Sequence, residues 1–156
     1  MSDSNKPPTG FSETTGEICY DLPSAYVPHA GTGLLHLPRF VAKIRKHLAG
    51  ELPRSYQRNF CKGFDRFLCL HLGVDPEQVI AVVRESTDDT SLDAGLRRIF
   101  PAELRVHVWN RELVQKGMSE MGREALADAK RKMGASHRDD VISFADMIDL
   151  DEGRLP

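Results

Sequence analysis

Apolar residues recur at helical spacing down most of this chain, and that periodicity limits the folds open to it more than any other feature. In "LPRFVAKIRKHLAG", Leu37, Phe40, Val41, Ile44 and Leu48 fall on one helix face, with Pro38 suited to the first turn and Gly50 to the stop. In "FDRFLCLHLG", Phe64, Phe67, Leu68 and His71 share a face and Gly73 ends it. "VDPEQVIAVVRE" carries the clearest helix start: Asp75 as cap, Pro76 at the first position, Gln78 closing a capping box, and Val74 facing Val79. Leu92, Leu96 and Ile99 mark a fourth helix. Val106, Trp109 and Leu113 mark a fifth, although "RVHVW" also alternates like a strand, so residues 105–109 stay open between the two. A sixth has Ser119 as cap, Met121, Ala125, Ala129 and Met133 as its apolar stripe, and Gly134 as stop. Val141, Phe144, Ala145 and Ile148 define a short seventh, with Asp139 or Asp140 as cap.

No segment reads as a strand pair. The expectation is an all-α fold, a compact bundle of six or seven short helices over residues 34–156. Residues 1–33, rich in Pro, Gly, Ser and Thr, read as an extended or partly disordered arm, docked through Tyr20, Leu22, Tyr26 and Val27.

A chain of 156 residues is the size of one domain and buries roughly two thirds of the surface its unfolded form exposes. The three cysteines, Cys19, Cys61 and Cys69, cannot all pair with one another, and no secretory signal precedes them, so a reducing, cytoplasmic setting is expected. No apolar run approaches the length of about 18 residues needed to span a membrane. A net charge of −2 gives no global field for nucleic acid or membrane, and no glycine-rich phosphate loop is present.

Charge is nonetheless unevenly spread. Residues 36–70 hold eight cations against two carboxylates, a local +6, whereas residues 71–156 hold twelve against seventeen, a local −5. Arg39, Lys43 and Lys46 lie on one helix face, where like charges repel by a few tenths of a kcal/mol per pair. The simpler expectation is that the acidic half lies over the basic one. The functional expectation is an anion site built from Arg39, Lys43 and the "KGFD" turn: Lys62 as a point charge, Gly63 allowing close approach, and Asp65 as cap or base. Trp109 and Asn110 are candidates to line its pocket, although a lone Trp at helical spacing more often belongs to a core.

Other chemistries find no anchor. Cys61, Cys69 and His71 lack the close pairs of zinc modules, and the glycine of the acidic tail falls in the wrong register for a calcium loop. Neither metal nor cofactor is expected. The six histidines show no pattern with Ser or Cys, and "HRD" at His137 to Asp139 stands without the other kinase elements.

"HLPRFVAKIRKHLAGELP", "CKGFDRFLCLHLGVD", "VWN" and "HRDDVISFADMIDLDEGR" occur in this order over residues 34–154. Together they resemble the bacterial domain-of-unknown-function family numbered 5069. The resemblance implies a small, soluble, cytoplasmic-type domain and brings no catalytic residue.

The acidic tail itself carries six carboxylates between Asp139 and Glu152. Asp139 and Asp140 suit a helix N-terminus, whereas Asp149, Asp151 and Glu152 would oppose the dipole at the other end. Either that helix stops near Ile148 or those acids meet cations. The expectation is a docking clasp, with Val141, Phe144 and Ile148 inward and the acids toward the basic half. Function is then expected to be ligand binding or protein interaction through a basic, anion-recognising surface. The alternatives are an enzyme for a small phosphorylated or carboxylated substrate, and a scaffold with internally paired charges. The partner would be a small anionic ligand or another protein, with nucleic acid and membrane disfavoured.

Overall fold

The computed structural model describes residues 16–156. Among these residues eight α-helices follow one another: α1 (Leu37–Leu48), α2 (Arg54–Gln57), α3 (Phe64–Leu72), α4 (Pro76–Glu85), α5 (Asp89–Ile99), α6 (Val106–Gln115), α7 (Glu120–Lys132) and α8 (Phe144–Asp151). Among the described residues the β structure is an isolated bridge between Pro28 and Leu35. The all-α expectation holds, and the additional element is α2, a single turn too short to show periodicity.

Local signals place most of these helices. The Asp75–Gln78 capping box forms at the start of α4, and Ser119 accepts from the Gly122 N–H at the start of α7. The ambiguous stretch before Trp109 is helical from Val106, because Trp109 and Leu113, four residues apart, both bury completely. Leu37, Phe40, Val41 and Ile44 of α1 are buried as expected, whereas Leu48, in the last turn, is 39% exposed because the core does not reach that end of the helix; fully burying each such side chain is worth about 1.5–3 kcal/mol. They join residues of α3, α4, α5 and α6 in a central core that includes Leu68, Leu96 and Trp109. Helix α5 approaches α4 closely at Gly95, where an added Cβ would stand 2.7 Å from the Val82 side chain. A smaller cluster, built on Leu126, Met133, Val141 and Leu150, holds α7 against α8.

Three further helices depart from the sequence expectation, α3 and α7 in their buried face and α8 in its start. In α3 the inward set is Asp65, Leu68, Cys69 and Leu72, while Phe67 is 41% exposed and His71 is only partly buried, its Nε2 donating to the Leu104 carbonyl at 2.8 Å. A buried acid turns the helix away from the face that hydrophobicity alone selects. In α7, Met121 is 86% exposed and Ala125 is also exposed, so Leu126 and Met133 make the contact. Helix α8 starts later than Asp139 or Asp140: Ser143 is the cap and accepts from the Asp146 N–H at 3.1 Å. Along the arm, Leu22 is buried and Tyr26 packs on the core, but Tyr20 and Val27 are exposed; Ile18, Cys19 and Ala25 are the other buried anchors. Residues 1–15 of the expected arm lie outside the described residues.

Candidate functional site

Two buried ionic nodes hang from neighbouring turns of α1, at Lys43 and Arg39. The first centres on Asp65, in the first turn of α3 and 0% exposed. One of its oxygens, Oδ1, lies 2.7 Å from His36 Nε2. The other, Oδ2, is 2.8 Å from Lys43 Nζ and accepts the Cys61 N–H at 2.9 Å. The turn leading into α3 makes the last bond feasible, since Cys61 and Gly63 both adopt positive φ, at 63° and 54°. Burial alone would lift the Asp65 carboxyl, but Lys43 and His36 outweigh it and hold it below the ordinary carboxylate range. Asp65 is therefore ionised.

An ionised carboxylate only accepts, so His36 Nε2 must carry the hydrogen of their bond. Burial holds the His36 imidazole below its ordinary pKa and therefore neutral, with Lys43 and Arg39 acting in the same direction against Asp65. Its Nδ1 is then a lone-pair acceptor. Among the described residues, that atom is the buried side-chain polar atom left without a partner. Leaving such a group unsatisfied costs about 1–3 kcal/mol. His36 also has φ of 73°, a left-handed backbone that costs a non-glycine residue on the order of 1–3 kcal/mol. Its ring meets Phe64 edge to face, with centroids 5.5 Å apart.

The second node centres on Glu152. Arg39 grips it with two parallel bonds, Nη1 to Oε1 at 2.8 Å and Nη2 to Oε2 at 2.6 Å. The Tyr56 hydroxyl donates to Oε2 at 2.7 Å, and Arg154 Nη1 lies 2.7 Å from Oε1. Burial, followed by the nearby Glu152 charge, pushes the Tyr56 phenol above its ordinary value, so it remains a donor. The same hydroxyl accepts the Cys19 N–H at 3.0 Å, while Arg39 donates to the Pro23 carbonyl at 3.1 Å and Arg154 to that of Leu22. This node fastens residues 19–23, α1, α2 and the C-terminal end of α8 together.

A cleft of about 770 Å³ opens above both nodes. His36, Arg39, Lys43 and Glu152 line its buried floor. Phe64 and Phe67 of α3 and Phe144, Met147 and Ile148 of α8 contribute its apolar walls. Phe144 is pinned there by donation of its N–H to the Lys116 carbonyl at 2.9 Å. Gly117 permits this packing, since a Cβ there would stand 3.2 Å from the Phe144 ring, and its φ of 101° suits glycine. Lys116 Nζ sits 4.2 Å from the Phe67 ring centroid. Lys62 and Gly63 lie at the exposed rim, where Lys62 has no ion pair among the described residues.

Of the residues singled out in the sequence, Arg39, Lys43, Lys62 and Gly63 share this cleft with Phe144, Ile148 and Asp151 of the tail. Asp65 lies beneath, bound to two of the floor residues. Trp109 and Asn110 lie elsewhere, because each is committed to the segment leading into α1: Trp109 Nε1 donates to the Leu35 carbonyl at 2.9 Å. Asn110 accepts the Leu35 N–H and donates to the Gly33 carbonyl, both at 3.0 Å. In the tail, α8 runs past Ile148 and its acids meet cations: Glu152 binds Arg39, and Asp149 lies 3.1 Å from Arg154. Val141 is buried, but Phe144 and Ile148 are only half-buried and serve as cleft wall. Asp140 bonds Arg138 at the surface through both oxygens, and Asp139 is exposed.

His36 and Tyr56 carry no sequence signal, since their acidic partners lie 29 and 96 residues away. No helix among the described residues is long and apolar enough to cross a membrane.

Neither a curated protein nor a solved structure matches the chain. A family model does match, over residues 28–154, beginning at Pro28 rather than near residue 34 and so including the Pro28–Leu35 bridge. The chain belongs to that family, the domain of unknown function DUF5069.

Proposed function

We propose that the cleft above α1 binds a small amphipathic ligand that carries an anionic group. The observation behind this reading is a preorganised ionic floor beneath apolar walls. Buried ion pairs stabilise a fold no better than well-packed apolar residues do, so two adjacent nodes are not needed for stability alone. Placed at the base of a concavity of about 770 Å³, they have the composition of a small-molecule site: mostly apolar walls with a few oriented polar groups. The apolar part of the ligand would pack on Phe64, Phe67, Phe144 and Met147. Its anionic group would meet Lys62, while Arg39 and Lys43, already neutralised by Glu152 and Asp65, hold the floor in place. The concave shape favours a small molecule over a protein partner. Catalysis through Asp65 as general base has no support, because three donors already occupy its oxygens. The cysteines Cys19, Cys61 and Cys69 are free, which supports a cytoplasmic setting.

Thermal-shift screening of the full chain against phosphorylated and carboxylated metabolites tests this reading. A ligand at 100 times its Kd adds about 2.7 kcal/mol to stability, and Tm must rise. Phe67→Asp, at an exposed wall position, should abolish the shift while leaving Tm of the free protein nearly unchanged. If nothing in a broad anionic panel raises Tm, the reading fails.

A further inference from the structure

We infer that His36 Nδ1 is the ligand-reading acceptor of this cleft, so that its ligand joins the anionic group to a body bearing an O–H or N–H donor. The inference rests on the binding reading above and narrows the class of ligand.

The ordinary structural roles of a histidine do not explain His36. It stands at the N-cap of α1, yet its side chain makes no capping bond. Its bond to Asp65 does not account for a histidine either, since Lys43 and the Cys61 N–H already satisfy the other oxygen and an amide side chain could supply the remaining donor. What an imidazole adds to an amide donor at this position is a second nitrogen held rigidly on the same ring. That nitrogen is the unpartnered one, in a residue lining the cleft. Asp65 fixes its tautomer, Phe64 packs against the ring, and the residue is held in a left-handed backbone conformation. Orientation by a second residue is how sites position a reading group.

The chemistry is acceptance of a hydrogen bond, with no proton transferred. The charged groups around the ring are Asp65, Lys43 and Arg39, and burial together with the two cations keeps the imidazole neutral. A site built to accept a hydrogen bond rejects an analogue lacking that hydrogen, because the buried acceptor is left unpaired and the added group fills its space.

The test uses matched pairs that share an anion and differ in one hydrogen: 4-hydroxybenzoate with 4-methoxybenzoate, 4-hydroxyphenyl phosphate with its methyl ether, and indole-3-acetate with its N-methyl derivative. Each is titrated into full-length protein labelled with ¹⁵N-histidine, with His36 assigned by comparison with His36→Gln. In the free protein, Nε2 should carry the hydrogen and Nδ1 should give the signal of a bare ring nitrogen. Donor-bearing probes should move that signal and bind at least tenfold more tightly than their methylated partners. His36→Gln keeps a donor for Asp65, so it should fold and bind both members of each pair alike. A hydrogen found on Nδ1 in the free protein overturns the inference. Equal binding of donors and methyl derivatives to the native protein overturns it while leaving the binding site standing. If no probe of either kind binds, the binding reading falls and the inference falls with it.

Discussion

Asp65 and Glu152 are two buried carboxylates, each neutralised by a cation of α1, and the two cations stand one turn apart. Their surroundings differ. Glu152 gathers Arg39, Tyr56 and Arg154, and those groups also reach the carbonyls and N–H of residues 19–23. Its node is closed: the donors are used, and the product is a knot joining both ends of the described chain. Asp65 gathers Lys43, His36 and Cys61, but His36 brings a second nitrogen that nothing occupies. The same elementary pairing is a closed fastening in one place and in the other leaves a buried acceptor without a partner. A buried ion pair thus does not announce its role by its charges; the unused valences of its partners do.

Removing each carboxylate in turn should separate the two nodes most strongly. Asp65→Ala leaves Lys43 buried without its counter-charge and should cost about 3–5 kcal/mol in urea unfolding. In a domain of this size that lowers Tm by roughly 6–20 °C. Glu152→Ala should fall at the lower end, about 3 kcal/mol, because Arg39 keeps the Pro23 carbonyl as an acceptor. A result in which Glu152→Ala is far costlier than Asp65→Ala would reverse the ranking of the nodes.

Acid should separate the nodes next. The folded-state pKa of His36 lies below its ordinary 6.5, so the unfolded chain binds a proton that the native state refuses. Stability is therefore complete above about 6.5 and falls as pH drops from there toward the lowered folded value, by about 1.4 kcal/mol per unit of separation. The depressed Asp65 carboxyl gives a second decline as pH falls below 3.8 toward its own folded value. Urea midpoints against pH should show both stages, and His36→Gln should erase the first. A wild-type curve flat from pH 7 to 5 contradicts a buried neutral imidazole.

Asn110→Ala should cost about 1–2 kcal/mol, since the Leu35 N–H loses its acceptor. That sets the scale of an uncharged fastening against the two ionic ones. The smallest effect belongs to Lys62→Ala, expected within 0.5 kcal/mol for an exposed side chain with no ion pair among the described residues. On the proposed reading the same change weakens anion binding, so its stability and its affinity should part company.

Much of the helical architecture was legible because its causes are local. The α1 stripe from Leu37 to Ile44, the Asp75 capping box and the Ser119 cap act within a few residues, and each lies where periodicity and capping chemistry place it. The faces of α3 and α8 were less legible. Hydrophobicity ranks Phe67 above Asp65 for burial, yet Asp65 goes inside because Lys43 and His36 await it there. Asp139, Asp140 and Ser143 are all good capping residues, and the packing of Val141 into the α7–α8 cluster selects the last. The +6 and −5 imbalance foretold attraction between the halves, but not that Arg39 would choose Glu152, 113 residues away.

The amino-acid order alone determined that the chain forms short helices, where most of them start, and that its basic and acidic halves attract. Those outcomes follow from spacings of one to four residues and from summed charge. Which acid meets which cation, which face of α3 is buried, and that one buried imidazole nitrogen is left without a partner beneath a cleft were decided by the tertiary structure. The reason is physical: burying a charge is favourable only beside its partner, and a partner 29 or 113 residues distant is brought there by the packing of helices.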